Sequence, residues 1–200
     1  MSRGHNVGVF FAGFASGVLA IALFLRIWGA VPQSQAQVRC ALDHEKEPTA
    51  NLSGIGLPIS GLRLENIIDT FAQTREGSKH HEAVDIMAPR GTPVVAVDSG
   101  TIRKLFLSKP GGVTIYQFDS NEIYCYYYAH LDRYAAGLTE GKSVQRGELI
   151  GYVGSTGNAS ARAPHLHFAI FRLGPEKHWW QGEAINPFPL LSQALDKNGR

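Results

Sequence analysis

The stretch Thr101-Ile-Arg-Lys-Leu-Phe-Leu-Ser-Lys-Pro-Gly-Gly-Val-Thr-Ile-Tyr-Gln-Phe118 decides the fold class of this chain. It holds two short runs of β-branched and aromatic residues, 101–106 and 113–118, on either side of the turn signal Pro110-Gly111-Gly112. Residues of these types fit a half-buried pleated surface, and Pro-Gly pairs end such segments. The stretch therefore predicts two strands separated by a turn.

The same pattern continues on both sides of this stretch. Runs with the composition of strands lie at 93–97, 123–128, 149–153 and 165–171. No long helical segment alternates with them, which disfavours a parallel α/β sheet. Helices are predicted only near the edges, over 65–71 and 190–197. We expect a mainly β fold, an antiparallel β-sandwich or partly open barrel, and the 22 glycines of the chain agree with it.

The segment Gly137–Gly151 carries paired glycine turns around Gly-Lys-Ser-Val-Gln-Arg-Gly-Glu-Leu-Ile. It is similar to the hairpins of biotinyl and lipoyl carrier domains, which supports a barrel-sandwich hybrid of the duplicated hybrid motif type. It also opens a non-enzymatic alternative, a carrier domain. A carrier needs a modifiable lysine at a hairpin tip, whereas Lys142 lies inside the turn motif, so the carrier alternative is disfavoured.

The charge of the chain is concentrated at its amino-terminal end. The net charge is +2, and residues 1–30 contain Arg3 and Arg26 with no acidic residue. Residues 31–200 then carry 17 basic and 17 acidic side chains, so they are formally neutral. An anionic polymer finds no general attraction there, and no nucleic-acid partner is predicted.

The segment from Val7 to Leu25 is uncharged and predominantly apolar. Its length matches the roughly 20 residues that a helix needs to cross a bilayer. We expect an uncleaved membrane anchor within residues 1–30; the alternative is a signal sequence cleaved near residue 36. An anchor places the folded part outside the cytoplasmic membrane, and cleavage makes it secreted. The Gly13-x-x-x-Gly17 spacing indicates a helix-mediated dimer.

The remaining boundaries follow from composition. Residues 31–57 mix proline, glutamine, serine and charges without an apolar period, which is typical of a linker. Residues 58–190 contain the strand-like runs and form the predicted folded domain, and 191–200 are predicted as a C-terminal tail.

Five chemistry-bearing residues occur on or beside the predicted strands. Side chains two and four apart share a face of an extended chain, so His81 and Asp85 face one way, as do His165 and His167. His130 lies at the end of the predicted strand over 123–129, next to Leu131. Two imidazoles and one aspartate are a common ligand set for zinc, and a further imidazole on the same face can handle a proton. The pattern predicts a metal-assisted hydrolase, and spacing alone leaves open which of His165 and His167 is the ligand.

Four sequence blocks resemble the signature of the lysostaphin/LytM-type zinc metalloendopeptidases, which cut peptides of bacterial peptidoglycan. They are, in order, His81-Glu-Ala-Val-Asp85-Ile-Met-Ala-Pro-Arg-Gly-Thr-Pro-Val94, Tyr128-Ala-His130-Leu131, Gly154-Ser-Thr-Gly157 and Pro164-His165-Leu-His167-Phe168. The resemblance covers residues 58–190. It implies a single zinc ion held by His81, Asp85 and His167, with His165 as general base and His130 assisting in proton transfer or oxyanion stabilisation.

The chain departs from this family in one place that bears on the substrate. Some relatives carry a tyrosine before the first ligand, where this chain offers Arg75, which we assign to a substrate or oxyanion role. Trp179 and its neighbour Trp180, grouped with the tyrosine run 126–128, are candidates for an aromatic platform in contact with substrate, including glycan. Cys125 lies inside a tyrosine-rich strand, which argues against a thiol peptidase.

The function implied by this resemblance is hydrolysis of peptide bonds in peptidoglycan cross-links or stem peptides. The alternative is a non-catalytic, peptidoglycan-associated scaffold that activates a separate wall hydrolase. Such members of the family usually lose zinc ligands, and this chain keeps all of them.

Overall fold

The computed structural model describes residues 52–74 and 80–198, and within them it contains ten strands and one α-helix. The strands are β1 (Ile67–Ile68), β2 (Val84–Met87), β3 (Pro93–Val95), β4 (Gly100–Ser108), β5 (Gly112–Asp119), β6 (Tyr124–Tyr134), β7 (Ser143–Val144), β8 (Leu149–Val153), β9 (His165–Leu173) and β10 (Gly182–Ile185). The helix is α1 (Pro187–Asn198).

All strand pairs are antiparallel, as the sequence predicts. The main order is β1-β2-β9-β6-β5-β4-β7; β10 pairs with β9, and β8 pairs with both β3 and β6. The strands predicted from composition are all present, and β1, β2, β7 and β10 are additional. Three of these additional strands are too short or too polar to show a composition signal, which is why sequence patterning misses them.

The predicted helix over 65–71 is wrong. Residues Leu64–Asn66 form a single 3-10 turn, and the chain then enters β1, where Ile67 pairs with Ile86. Ile67 is buried while Ile68 is exposed, which is the two-residue alternation of a strand. Pairing with β2 therefore overrides the local spacing.

The core lies on one face of the central strands. Val84 and Ile86 of β2 pack with Leu166 and Phe168 of β9, and all four are fully buried. Because side chains alternate along a strand, the residues between them, including Asp85, His165 and His167, lie on the opposite face. This alternation confirms the predicted division of both segments into a core face and a site face.

The tyrosine-rich strand β6 is divided in the same way. Tyr126 and Tyr128 are buried, and their hydroxyls donate to Asp98 Oδ2 at 3.0 Å and Gln117 Oε1 at 2.9 Å. Burial raises the pKa of both phenols above the ordinary range, so they stay neutral. Tyr127, between them, is directed to the site face.

Helix α1 agrees with the helix predicted over 190–197 and begins three residues earlier. Asn186 Oδ1 accepts a hydrogen bond from the Phe188 amide at 2.9 Å, and Pro187 occupies the first turn, where its missing N–H costs nothing. Leu191 is completely buried in the core. The core also includes Ile55, so residues on both sides of the predicted 58–190 unit pack into it.

The predicted anchor (7–25), its Gly13 and Gly17, and most of the predicted linker lie outside the described residues. Among the described residues, no helix has the length and apolar character needed to cross a bilayer.

Candidate metal centre

Three of the predicted ligands converge at the edge of the site face. Asp85 of β2 lies directly opposite His167 of β9 in the antiparallel register, and His81 precedes β2 by three residues. His81 Nε2 lies 3.0 Å from His167 Nδ1 and 3.4 Å from Asp85 Oδ1, while His167 Nδ1 lies 3.1 Å from Asp85 Oδ1. The three donor atoms thus form a compact triangle, which we call the His81–Asp85–His167 group.

The size and chemistry of this triangle fit a zinc ion. Zinc binds imidazole nitrogen and carboxylate oxygen at about 2.0–2.2 Å, so the edges of its tetrahedron are about 3.3–3.5 Å long. The observed separations of 3.0, 3.1 and 3.4 Å lie close to these edges. Three protein donors leave the fourth position for water or substrate, as in catalytic zinc sites.

The carboxyl of Asp85 is held in its ionised form. Burial acts to raise the pKa of Asp85, but the adjacent His167 and His81 imidazoles outweigh burial, and the net pKa lies well below the usual range. An ionised carboxylate between two imidazoles is the charge state that a divalent cation requires.

Thr70 holds the first histidine in place. Its hydroxyl lies 2.7 Å from His81 Nδ1 and 3.4 Å from the carbonyl oxygen of Ala83. Because that carbonyl can only accept, the hydroxyl donates to it and accepts from His81 Nδ1–H. The proton therefore sits on Nδ1, and Nε2 keeps its lone pair for a metal. Sequence reasoning misses Thr70, since it lies eleven residues before His81.

Replacing Thr70 by valine is expected to weaken zinc binding about tenfold while leaving the fold intact. The change keeps the shape of the side chain and removes the acceptor that orients His81, and such outer partners of metal ligands contribute roughly 10–100-fold in affinity. Competition with a chelating dye measures the effect. Thr70→Ser keeps the hydroxyl and should restore the affinity; equal affinity in both variants would show that the hydrogen bond has no role.

His130 and His165 flank the His81–Asp85–His167 group, and both anchor one ring nitrogen on a backbone carbonyl. His130 Nδ1 lies 2.9 Å from Thr156 O, and His165 Nδ1 lies 2.8 Å from Ala163 O. Since a carbonyl only accepts, both Nδ1 atoms carry the proton and both Nε2 atoms are acceptors. His165 Nε2 lies 3.8 Å from Asp85 Oδ1, and the His130 and His165 rings are 4.9 Å apart between centroids.

His130 is kept neutral by its surroundings. Burial, followed by the proximity of His167, lowers its pKa to about 4. A neutral imidazole at physiological pH can accept a proton or a hydrogen bond through Nε2.

An irregularity in β6 directs His130 into the site. His130 has a φ of +59°, and the registers of β6 with both β5 and β8 shift beside it. A bulge of this kind turns one side chain away from its regular direction. The sequence predicts His130 at the end of a strand, whereas β6 continues to Tyr134, so the bulge takes the place of the strand end.

Two turns that cross each other, one containing Pro110 and Gly111 and the other containing Thr156 and Asn158, support this bulge. The His130 amide donates to Gly111 O at 2.8 Å, and the Asn158 amide donates to Pro110 O at 3.0 Å. Thr156 Oγ1 donates to Leu131 O at 2.7 Å and accepts from the Val113 amide at 3.0 Å. Thr156 therefore ties the turn before β5 to β6 and also supplies the carbonyl that holds His130.

The structure describes one of the two predicted substrate contacts, Trp179, and does not describe the other, Arg75. Arg75 lies outside the described residues. Trp179 lines a cavity of about 390 Å³ next to the metal centre, which we call the aromatic cavity. Its described lining residues are Glu82, Tyr116, Tyr127, Phe171, Trp179, Trp180, Gln181 and Gly182. Tyr127, which belongs to the tyrosine run grouped with these tryptophans in the sequence, reaches both regions, since its ring meets His167 edge-on at 5.9 Å.

The other described histidines and Cys125 lie apart from this chemistry. His80 is exposed and contacts the Ala72 carbonyl, and His178 stacks on Trp180 at 4.5 Å. Cys125 is buried, and burial raises the pKa of its thiol, which agrees with the expectation that it is no nucleophile.

Comparison with known proteins agrees with this geometry. The sequence profile of Peptidase family M23 matches residues 79–187. An L-Ala–D-Glu endopeptidase of Bacillus subtilis is 33% identical over 120 residues, 58% of this chain and 35% of that protein. Lysostaphin of Staphylococcus simulans is 38% identical over 115 residues, 57% of this chain and 22% of that protein. The chain thus spans about a third or less of the length of these two relatives.

Two further matches are a protein named as an activator and a solved structure. Murein hydrolase activator NlpD of Salmonella dublin is 29% identical over 150 residues, 74% of this chain and 36% of that protein. The solved structure of LytU is 31% identical, covers 64% of this chain and 85% of its own, and superimposes with a TM-score of 0.54. The profile match covers more than half of the chain and includes His81, Asp85, His130, His165 and His167. The chain therefore belongs to peptidase family M23.

Proposed function

We propose that the chain is a zinc-dependent endopeptidase that hydrolyses peptide bonds in peptidoglycan cross-links or stem peptides. The observation that carries the proposal is the His81–Asp85–His167 group, whose donor atoms lie at the spacing of a zinc tetrahedron beside two imidazoles with free Nε2 acceptors. Membership of a peptidase family and similarity to wall endopeptidases support the reaction class.

The metal ligands, His165 and His130 have separate roles in the proposed reaction. When bound to the group, zinc would polarise a peptide carbonyl and lower the pKa of water toward about 7. His165 Nε2, close to Asp85, accepts the proton of the attacking water and delivers it to the leaving amine. His130 Nε2, whose ring is 5.5 Å from that of His167, lies where it can hold the water or share the proton. The two carbonyl anchors keep both imidazoles in the tautomer that this work requires.

The substrate lies over the site face of the sheet. Residues 31–200 are formally neutral overall, so we expect recognition to rest on shape and local polar contacts. We further propose that residues 7–25 anchor the domain outside the cytoplasmic membrane, on the ground of their uncharged, apolar sequence. Protease accessibility of residues 58–190 in intact spheroplasts tests this placement, and protection of the domain from added protease would overturn it.

The second candidate function is activation of a separate wall hydrolase. The similarity to NlpD over 74% of the chain favours it. The complete ligand group favours the enzyme instead, because an activator that works by contact has no use for three converging zinc donors with oriented tautomers.

The deciding experiment incubates the purified full chain with isolated peptidoglycan and follows soluble fragments by mass spectrometry. We expect one zinc ion per chain, release of peptide-linked fragments, loss of release with 1,10-phenanthroline and recovery on adding zinc but not magnesium. The masses of the new ends also identify the bond that is cut. Chelator-resistant release, or release only when a second hydrolase is added, would contradict the enzymatic proposal.

A further inference from the structure

We propose that the aromatic cavity is a substrate subsite that binds a primary ammonium group of the wall peptide, held by the Glu82 carboxylate and the faces of the surrounding aromatic rings. This inference rests on the proposed function, since it names a chemical group that the substrate of the same site would carry. It assigns a role to Glu82, Tyr127 and Trp180 together, and it makes Trp179 part of a cation site.

The cavity lies on the same face of the sheet as the metal centre. His167, Ala169 and Phe171 follow one another at alternate positions of β9, so their side chains share that face. His167 belongs to the ligand group, and Phe171 lines the aromatic cavity. Four residues of strand separate them, which is about 13 Å. A peptide bound over His167 can therefore reach the Phe171 end of the cavity within about four extended residues.

Tyr127 connects the two regions. It lies opposite Ala169 in the register of β6 with β9, and opposite Tyr116 in the register of β5 with β6. Its ring is 4.6 Å from that of Tyr116 and 5.9 Å from that of His167, between centroids. The small side chain of Ala169 leaves room for this ring. Tyr127 thus forms part of the wall of the aromatic cavity and part of the wall of the metal centre.

The remaining walls are aromatic and arranged edge to face. Trp179 meets Tyr116 at 4.7 Å and Trp180 at 5.2 Å, both in T-shaped geometry. Trp180 is 60% exposed on this rim, and His178 stacks on its ring at 4.5 Å between centroids. Electron-rich ring faces within about 6 Å attract a cation, and tryptophan does so most strongly.

Glu82 supplies the charge. It is the single charged residue among the described residues that line the cavity. It is exposed, and its carboxylate forms no hydrogen bond or ion pair with any residue of the ranges 52–74 and 80–198. Its φ is +54°, a conformation that a non-glycine residue adopts at a cost, and its amide donates to Phe71 O at 3.1 Å. The strained turn leads directly out of the ligand His81 and holds the carboxylate at the cavity.

These features distinguish an ammonium group from other ligands. A sugar would also contact Trp180, but its neutral hydroxyl groups gain less from the Glu82 carboxylate than a cation does. An anion is repelled by Glu82, and the basic residues Arg172 and Lys177 line a different cavity. A carboxylate together with several ring faces is the combination that recognises an organic cation. The free amine of a diamino acid in the wall peptide has this chemistry.

Binding is tested with small probes on the full zinc-loaded chain, followed by tryptophan fluorescence and NMR. The probes are Nα-acetyl-lysine amide, Nε-acetyl-lysine amide, the doubly acetylated amide and chitotriose. We expect the first or second to bind, which distinguishes a side-chain amine from an α-amine, and Glu82→Gln to weaken that binding about fivefold. Equal binding of the doubly acetylated amide, or binding of chitotriose alone, would overturn the proposal in favour of an apolar or a glycan subsite.

Hydrolysis provides the second readout. Wild type, Glu82→Gln and Trp180→Ala are compared on untreated peptidoglycan and on peptidoglycan whose free amines have been acetylated, with Glu176→Gln as a matched exposed-carboxylate control. Zinc content is measured in each variant, since Glu82 adjoins His81. We expect Glu82→Gln to lose about fivefold in kcat/KM on untreated wall only, and Glu176→Gln to match wild type. Equal loss on both walls would contradict the proposal. Inactivity of wild type on every wall, with the probe binding intact, would count against the proposed function alone.

Discussion

His167→Ala is expected to lower the release of peptidoglycan fragments by about a thousandfold or more and to reduce the bound zinc to a small fraction of one ion per chain. The substitution removes one corner of the donor triangle, in which His167 Nδ1 lies 3.0 Å from His81 Nε2 and 3.1 Å from Asp85 Oδ1. Two donors hold zinc far more weakly than three, and the metal supplies several kcal/mol of transition-state stabilisation. Elemental analysis and the fragment assay measure both losses.

The control is His80→Ala. His80 is a histidine next to a ligand, but it is exposed, and its ring nitrogen lies 3.3 Å from the Ala72 carbonyl oxygen, away from the donor triangle. Its removal should leave zinc content and activity within about twofold of wild type. A His167→Ala variant that keeps its zinc, or keeps full activity without zinc, would show that the ligand group has been assigned wrongly.

Gly112→Ala is expected to destabilise the folded domain by about 3 kcal/mol or more. Gly112 has a φ of +67°, which costs about 1 kcal/mol for a residue with a Cβ. A Cβ there would also overlap Thr156 Oγ1, the Thr156 carbonyl carbon and the Gly157 amide. Overpacking of this kind adds typically 1–3 kcal/mol. Urea unfolding, with the midpoint and slope fitted together, measures the change.

Gly137→Ala is the matched control for this prediction. Gly137 has a φ of +75°, but a Cβ there meets nothing within 4 Å. It should therefore lose only the conformational part, about 1 kcal/mol. Gly112→Ala should also lose activity under conditions where it is still folded, because Thr156 carries the carbonyl that orients His130. Equal stability of the two variants would show that the crossing turns can move apart freely.

The strands were predictable because their signal is local. Residues 149–153 are a strand with the predicted bounds, and the alternation of core and site faces in β9 follows from its sequence alone. The prediction of a helix over 65–71 is wrong because its two isoleucines fit the period of a helix as well as that of a strand. Pairing of Ile67 with Ile86 decides in favour of the strand. Strand β10 escapes prediction because Gly182–Ile185 has no strand-like composition and forms by pairing with β9.

The site was predictable in its residue types and only partly in its geometry. Spacing places His165 and His167 on one face, but it cannot say which ring nitrogen of either faces Asp85. Nor can it identify the roles of Thr70 and Thr156, since each acts through a partner that is distant along the chain.

The sequence by itself determined the β architecture, and it singled out the five residues to which we assign the proposed chemistry and the face of each strand on which they lie, because side-chain alternation is a property of a single extended chain. Only the tertiary structure decided that Asp85 meets His167 across β2 and β9, that a bulge turns His130 inward, and that the cavity beside them joins Glu82 to a wall of aromatic rings. Register, bulges and tautomers depend on hydrogen bonds between segments far apart in the sequence, and those bonds exist only once the sheet has formed.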